Sequence, residues 1–175
     1  MSNFLLPIII GIISGIVSTA LFHCLLKFTK PNIIISDCIE KRIVDQKPVY
    51  HIKVVNLRKR NAVGIKLYLY LVHAENGHDG TILRYEQMEI HDGGIPYIDP
   101  YDKKDSTSKY AIRLELPNQL LDIWKDDRIQ YLRFGIYCVD EFTGSEKFFS
   151  QEYRQHSKII EGKFKTGKSL EIVPV

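Results

Sequence analysis

Residues 1–26 contain no Lys, Arg, Asp or Glu, and within them Phe4 to Leu26 reads FLLPIIIGIISGIVSTALFHCLL, a run whose polar side chains are Ser14, Ser18, Thr19 and His23. About 20 apolar residues in a helix cross the ~30 Å hydrocarbon core of a bilayer. Backbone groups in that core must be satisfied within the segment, so a helix is the form this run takes there. Pro7 falls in the first turns, where a missing N–H costs least. A secretory signal has a basic start and an apolar stretch of about 7–15 residues. Met1, Ser2 and Asn3 carry no basic side chain, and the run is longer than that. A lipoprotein anchor at Cys24 needs a small residue before it, and His23 stands there. The pattern predicts a retained transmembrane helix.

The flanks orient it. No Lys or Arg precedes the span, whereas Lys27, Lys30, Lys41 and Arg42 follow within the window that the positive-inside rule weighs. The expectation is a single-pass protein of the inner (plasma) membrane with its N-terminus outside. Residues 1–28 form the anchor and 29–175 a cytoplasmic domain. Cysteine usage agrees: with Cys24 in the apolar run, Cys38 and Cys138 make no disulfide framework, which suits a reducing compartment. The formal net charge of +3 is too mild for a nucleic-acid partner, which requires a concentrated basic face.

Gly11 and Gly15 form GxxxG, extended by Ile12, Ile16 and Thr19. Small residues at four-residue spacing make a flat face on which two helices approach closely. The segment resembles the dimerising membrane helix of glycophorin A, and the implied state is a homo-oligomer held through Gly11, Gly15 and Thr19. His23, four residues before Lys27, falls at the membrane interface rather than at its centre.

Beyond Pro31 the dominant period is two. Tyr50, Ile52 and Val54 alternate with His51, Lys53 and Val55; Val63, Ile65, Leu67, Leu69 and Leu71 with Gly64, Lys66, Tyr68, Tyr70 and Val72. Arg84, Glu86 and Met88 alternate with Leu83, Tyr85 and Gln87. Tyr110, Ile112, Leu114 and Leu116 form another apolar face, as do Leu132, Phe134, Ile136 and Cys138. Such alternation marks half-buried strands. Further strands are expected over 33–40, 147–153 and 170–173, with turns at 58–61, 75–80, 91–102 and 142–145. A short helix is expected after Pro117, with Asn118 as its N-cap and Leu120, Leu121 and Trp124 on one face. Roughly seven or eight strands at this spacing predict an all-β, immunoglobulin-like β-sandwich behind one N-terminal transmembrane α-helix.

Two stretches carry a resemblance. Tyr50–Leu71, YHIKVVNLRKRNAVGIKLYLYL, and the set Thr143-Gly144, Tyr153, Ile160, Gly162 and Phe164 resemble the cytoplasmic immunoglobulin-like domain of inward-rectifier potassium channels. Glu152 and Glu161 stand where that family usually has Ser and Trp. The resemblance implies the fold and a self-associating, membrane-proximal domain. It does not imply conduction, which needs a second membrane helix and a selectivity filter of backbone carbonyls.

Motifs for chemistry are weak. Gly162 to Ser169, GKFKTGKS, satisfies the P-loop pattern, but a P-loop lies between a strand and a helix, and only six residues follow Ser169. A hairpin turn between Phe164 and Leu170 is the expected form. His73, Glu75, His78, Asp79 and His91 hold imidazoles and carboxylates near one turn, yet a structural metal site needs four converging ligands. Asp92, Asp99, Asp102 and Asp105 lack the spacing of a calcium loop. No catalytic residue, cofactor or metal is expected. Arg58, Lys59 and Arg60, with Lys27, Lys30, Lys41 and Arg42, are candidates for anionic lipid or phosphate contact. The reading is a non-enzymatic binding or scaffold module presented to a cytoplasmic protein or small ligand. The alternative is a ligand-sensing membrane effector, of the kind found in bacterial defence, whose β-domain triggers membrane perturbation.

Overall fold

The computed structural model describes residues 2–90, 94–125 and 129–174. Helix α1 covers Ser2–Thr29, and its stretch Pro7–Leu26, with a mean hydropathy of 2.2, is long and apolar enough to cross a membrane. None of that stretch is buried against the rest of the chain. The remainder is mostly β: β1 (Ile33–Ile35), β2 (Ile39–Val44), β3 (Lys47–Asn56), β4 (Ala62–Gly77), β5 (Gly80–Met88), β6 (Tyr97–Ile98), β7 (Ala111–Leu116), α2 (Leu120–Ile123), β8 (Gln130–Asp140), β9 (Glu146–Tyr153), β10 (Ile159–Glu161), β11 (Lys163–Phe164) and β12 (Ile172–Val173).

Two sheets face each other in a sandwich-like arrangement. In the first, β3 pairs antiparallel with β7 through residues 50–55. Its other edge carries β2 against residues 47–51 and β1 against 54–56. β1 and β2 are therefore one edge interrupted at residues 36–38, where Ser36 replaces ladder bonds: its N–H donates to the Lys53 carbonyl at 2.8 Å and its Oγ accepts from the Lys53 N–H at 3.1 Å. β10 joins β2 in parallel. The second sheet runs β5–β4–β8–β9, all antiparallel, with β6 beside the start of β4. A bulge between Val63 and Lys66 bends β4 where Gly64 takes a φ of +61°.

The period-two faces expected for β3, β7 and β8 supply the core. Ile52, Val54, Leu114, Leu116, Leu132, Phe134, Ile136 and Cys138 are buried between the sheets with Leu69 and Leu71 of β4. Trp124 and Leu120 close the core at the end where α2 lies.

The structure departs from the pattern in several places. β6 falls inside the expected turn 91–102, β10 and β11 are strands that the alternation does not mark, and the expected strand 170–173 is only β12. The expected strand 33–40 is split at Ser36. Gln119 rather than Asn118 is the N-cap of α2, and Leu121 is exposed, off the buried face of Leu120 and Trp124. β5 is exposed along its length up to Met88, because it is an edge strand and, over residues 75–82, it and β4 form a two-stranded ribbon beyond the end of β8; the turn is only His78 and Asp79. Finally, the outer side of β3 is not a solvated face: Lys53 and Val55 are buried there.

Strand direction divides the domain into two ends. Pro31 and Asn32 lead from α1 into β1, and the pairings Ile33↔Asn56, Ala62↔Asp140 and Val55↔Ala111 place the β3–β4 loop, the β8–β9 turn and the start of β7 at this near end. The β2–β3 turn at Asp45–Gln46, the β4–β5 ribbon and α2 lie at the far end.

Candidate membrane-facing and partner-facing surfaces

On α1, Gly11, Ile12, Gly15, Ile16, Thr19, Ala20 and His23 line one shallow groove of about 520 Å³. Nothing lies within 4 Å of where a Cβ would stand at Gly11 or Gly15. The Thr19 hydroxyl donates to the Gly15 carbonyl at 2.8 Å, so the one hydroxyl in the groove is satisfied within its own helix.

The seven basic residues do not form one group. Arg58, Lys59 and Arg60 sit in the β3–β4 loop at the near end with Lys30; the side chain of Lys27 lies outside the described residues. The loop is built by Asn56, which is 1% exposed. Its Oδ1 accepts from the Arg58 N–H at 2.9 Å, and its Nδ2 donates to the Arg60 and Asp99 carbonyls at 2.8 and 3.0 Å. Arg58 Nε donates to the Lys30 carbonyl at 3.0 Å, and the Leu57 N–H to the Asn32 carbonyl at 2.9 Å, which ties the exit of α1 to the loop. Lys41 and Arg42 lie elsewhere. Both belong to β2, opposite Tyr50 and Val49, about six residues and hence about 20 Å along β3 from the near end. Each is already paired: Lys41 with Glu161 at 2.7 Å and Arg42 with Glu40 at 2.5 Å. Proximity to the span in sequence does not carry over to space, because β1 and β2 lead directly away from α1.

A buried polar seam covers the outer side of the first sheet. The fully buried Glu40 carboxylate accepts from the Phe164 N–H at 2.6 Å and lies 2.5 Å from Arg42 Nε and 3.4 Å from His51 Nδ1. Lys53, 2% exposed, donates from Nζ to the carbonyls of Lys165 and Ser169 at 2.6 and 2.8 Å. Arg113 Nη2 donates to the Phe164 carbonyl at 2.9 Å. The GKFKTGKS stretch is thus the β11–β12 hairpin laid over this seam. A phosphate cradle turns N–H groups inward at a helix N-terminus; here carbonyls turn inward onto a lysine. Two hydrogen bonds to carbonyls leave the ammonium without a carboxylate contact. Burial, with the positive Arg113 nearby, lowers the Lys53 pKa from 10.5 to about 8 despite the opposing pull of Glu40. Between pH 8 and 10.5 the unfolded chain therefore binds more protons at this site than the folded one, and stability rises with pH there. Burial raises the Cys138 thiol from 9.0 to about 11, which opposes that rise above pH 9. Chemical denaturation from pH 8 to 9 is expected to show an upward slope in stability that Lys53→Met removes; an equal slope in the variant would contradict the account.

The outer face of the second sheet is aromatic and basic. Register aligns Lys66 with Tyr137, Tyr68 with Gly135, Tyr70 with Arg133 and Val72 with Tyr131. Tyr68 and Tyr70 stack at 6.3 Å, Tyr85 meets Tyr70 edge-on at 5.9 Å, and Phe148 lies over Gly135, where a Cβ would come within 2.5 Å of its ring. Arg133 organises the centre. It donates to Glu152 at 2.6 Å, to the Tyr85 hydroxyl at 2.8 Å and to the Tyr131 hydroxyl at 3.1 Å, and Arg154 packs over the Tyr131 ring at 4.7 Å. Alternation placed Tyr68 and Tyr70 outward, but the convergence of three strands on Arg133 depends on register.

Of the remaining candidates, His73, Glu75 and Asp105 are engaged locally. His73 faces Glu86 at 3.6 Å and Glu75 faces Arg84 at 3.1 Å across the β4–β5 pair. Asp105 accepts from the N–H groups of Thr107 and Lys109 at 2.8 and 2.9 Å and shapes its own turn. His91 and Asp92 lie outside the described residues. Among the described residues no three His, Cys, Asp or Glu converge as a metal site. Compared with known proteins, the chain matches no family model and no curated sequence.

Proposed function

We propose that this chain is a single-pass, membrane-anchored, non-enzymatic binding module that self-associates through α1 and presents its β-domain to a protein partner in the cytoplasm. The observation that carries this reading is the bare Gly11–Gly15–Thr19 groove on a helix long enough to span a bilayer. Lipid tails are as apolar as the helix, so helices associate there where backbones come close enough for dense packing. Joining copies in this way multiplies the effective concentration of whatever the β-domain binds. The Tyr- and Arg-rich outer face of β5–β4–β8–β9 has the composition enriched at protein interfaces, which supports a protein partner.

An immunoglobulin-like sandwich is the finer fold we propose. The order β2–β3–β7 opposite β5–β4–β8–β9 follows the A–B–E and C′–C–F–G arrangement of that fold. The resemblance of the sequence to the cytoplasmic domain of inward-rectifier potassium channels supports the same reading, and three of the residues that carry it have structural roles here: Asn56 stitches the β3–β4 loop, the Tyr153 hydroxyl donates to the Ser36 carbonyl at 2.7 Å, and Phe164 is buried.

Anchoring and orientation are tested with a thiol reagent that does not cross membranes. Cys138 is buried, so an exposed reporter at Ser106→Cys is preferable, with Cys24 and Cys38 replaced by serine. The expected result is labelling only after permeabilisation. Labelling in intact cells would place the β-domain outside.

A further inference from the structure

The exposed side chain least explained by the fold is Phe142. It is 80% exposed, more than any apolar side chain described on the span, where Ile16 reaches 65%. It does not hang from a loose loop. Asp140, 2% exposed, accepts at Oδ1 from the Phe142 N–H at 3.2 Å, the Thr143 N–H at 2.8 Å and the Thr143 hydroxyl at 2.9 Å. Gly144 turns the chain back at a φ of +66°, a conformation that suits glycine. Asn61 Nδ2 donates to Glu141 at 2.6 Å, fixing the turn to the β3–β4 loop. A rigid turn that holds a phenylalanine outward forgoes the burial that phenylalanines gain in the core, so the ring is poised for a surface outside the fold.

Its position says which surface. Ser145, at the end of the same turn, shares a cleft of about 340 Å³ with His23, Cys24, Leu26 and Lys30. The turn thus lies beside the last part of the spanning stretch, which ends at Leu26. Only Lys30, Pro31 and Asn32 separate α1 from β1, a tether of at most about 10 Å. A folded partner has no room between that end of the domain and a bilayer. The Arg60 guanidinium stands 5.1 Å from the Phe142 ring centroid, with Arg58, Lys59 and Lys30 close by in the chain's near end. Aromatic rings and basic side chains are the groups that favour the headgroup boundary.

We propose that Phe142 is a second membrane contact: its ring inserts at the headgroup–acyl boundary of the leaflet from which α1 emerges, with Arg60 beside it among the headgroups, and so fixes the orientation of the β-domain on the membrane. This rests on α1 spanning the bilayer. The test uses the full chain in vesicles of phosphatidylcholine and phosphatidylglycerol, part of it brominated on the acyl chain near the headgroup. The native Trp124 is an internal control, because it is fully buried and lies with α2 at the far end. Phe142→Trp should add a blue-shifted emission, most of which brominated lipid removes, while the wild-type emission is unchanged. In parallel vesicles brominated near the acyl-chain ends, Ile16→Trp, at the middle of Pro7–Leu26, reports the span. Quenching of Ile16→Trp without quenching of Phe142→Trp overturns the second contact and leaves the span intact; quenching of neither overturns both. A blue shift of Phe142→Trp that follows protein-to-lipid ratio and ignores bromine places the ring on a second copy of the chain and overturns the proposal.

Discussion

Replacing Glu40 by alanine is expected to destabilise the β-domain by about 3–5 kcal/mol, the usual penalty for removing one member of a buried charged set. The carboxylate is fully buried and serves three groups: the Phe164 N–H, Arg42 Nε and His51 Nδ1. Its loss strands the buried Phe164 N–H, which cannot reach water without lifting β11 from the seam, and leaves Arg42, 27% exposed at its side chain, without its carboxylate. Glu40→Gln keeps one oxygen for Phe164 and is expected to cost less. Lifting β11 also removes the carbonyls that cap Lys53. Glu40→Ala should therefore open the C-terminal hairpin to protease before the rest of the domain unfolds. Denaturation of the full chain in detergent, with limited proteolysis of the folded state, reads both effects. A wild-type midpoint for Glu40→Ala would show that the seam adds no stability.

The second large effect belongs to the membrane. Gly15→Ile places a branched side chain in the middle of the groove, where nothing now stands within 4 Å of the missing Cβ. Two helices meeting on this face would be pushed apart at the point of closest backbone approach, and dispersion contacts fall away steeply over such a gap. Self-association should weaken roughly tenfold or more, since every 1.4 kcal/mol of lost packing is a factor of ten. Ile12→Leu changes the shape of the groove wall without filling its floor and is expected to matter much less. Neither change should alter the stability of the β-domain, because the span is not buried against it.

Much of the fold was legible because two periods dominate the chain. The uncharged run before Lys27 makes α1, and alternation over Tyr50–Val54, Leu69–Leu71 and Leu132–Cys138 marks the buried faces. Alternation says which side of a strand is apolar, not what covers the other side. Lys53 has the pattern of a solvent-facing residue, and only the return of the chain from residue 163 onward buries it. The same limit applies to Arg133, whose partners Tyr85 and Glu152 stand on β5 and β9 and are brought to it by strand pairing. Lys41 and Arg42 show the converse: close to the span in sequence, they are carried to the far end by the direction of β1 and β2. The match at Gly162–Ser169 shows how little spacing means without its surroundings, since the same letters here close a hairpin whose carbonyls hold a lysine.

Self-association through α1 is measured most directly by energy transfer between donor- and acceptor-labelled full chains, mixed in vesicles and diluted with lipid. The wild type is expected to transfer energy above the level of random collisions at dilutions where Gly15→Ile has fallen to that level, with Ile12→Leu close to the wild type. Equal transfer by Gly15→Ile and the wild type at every protein-to-lipid ratio would contradict association through the Gly11–Gly15–Thr19 face.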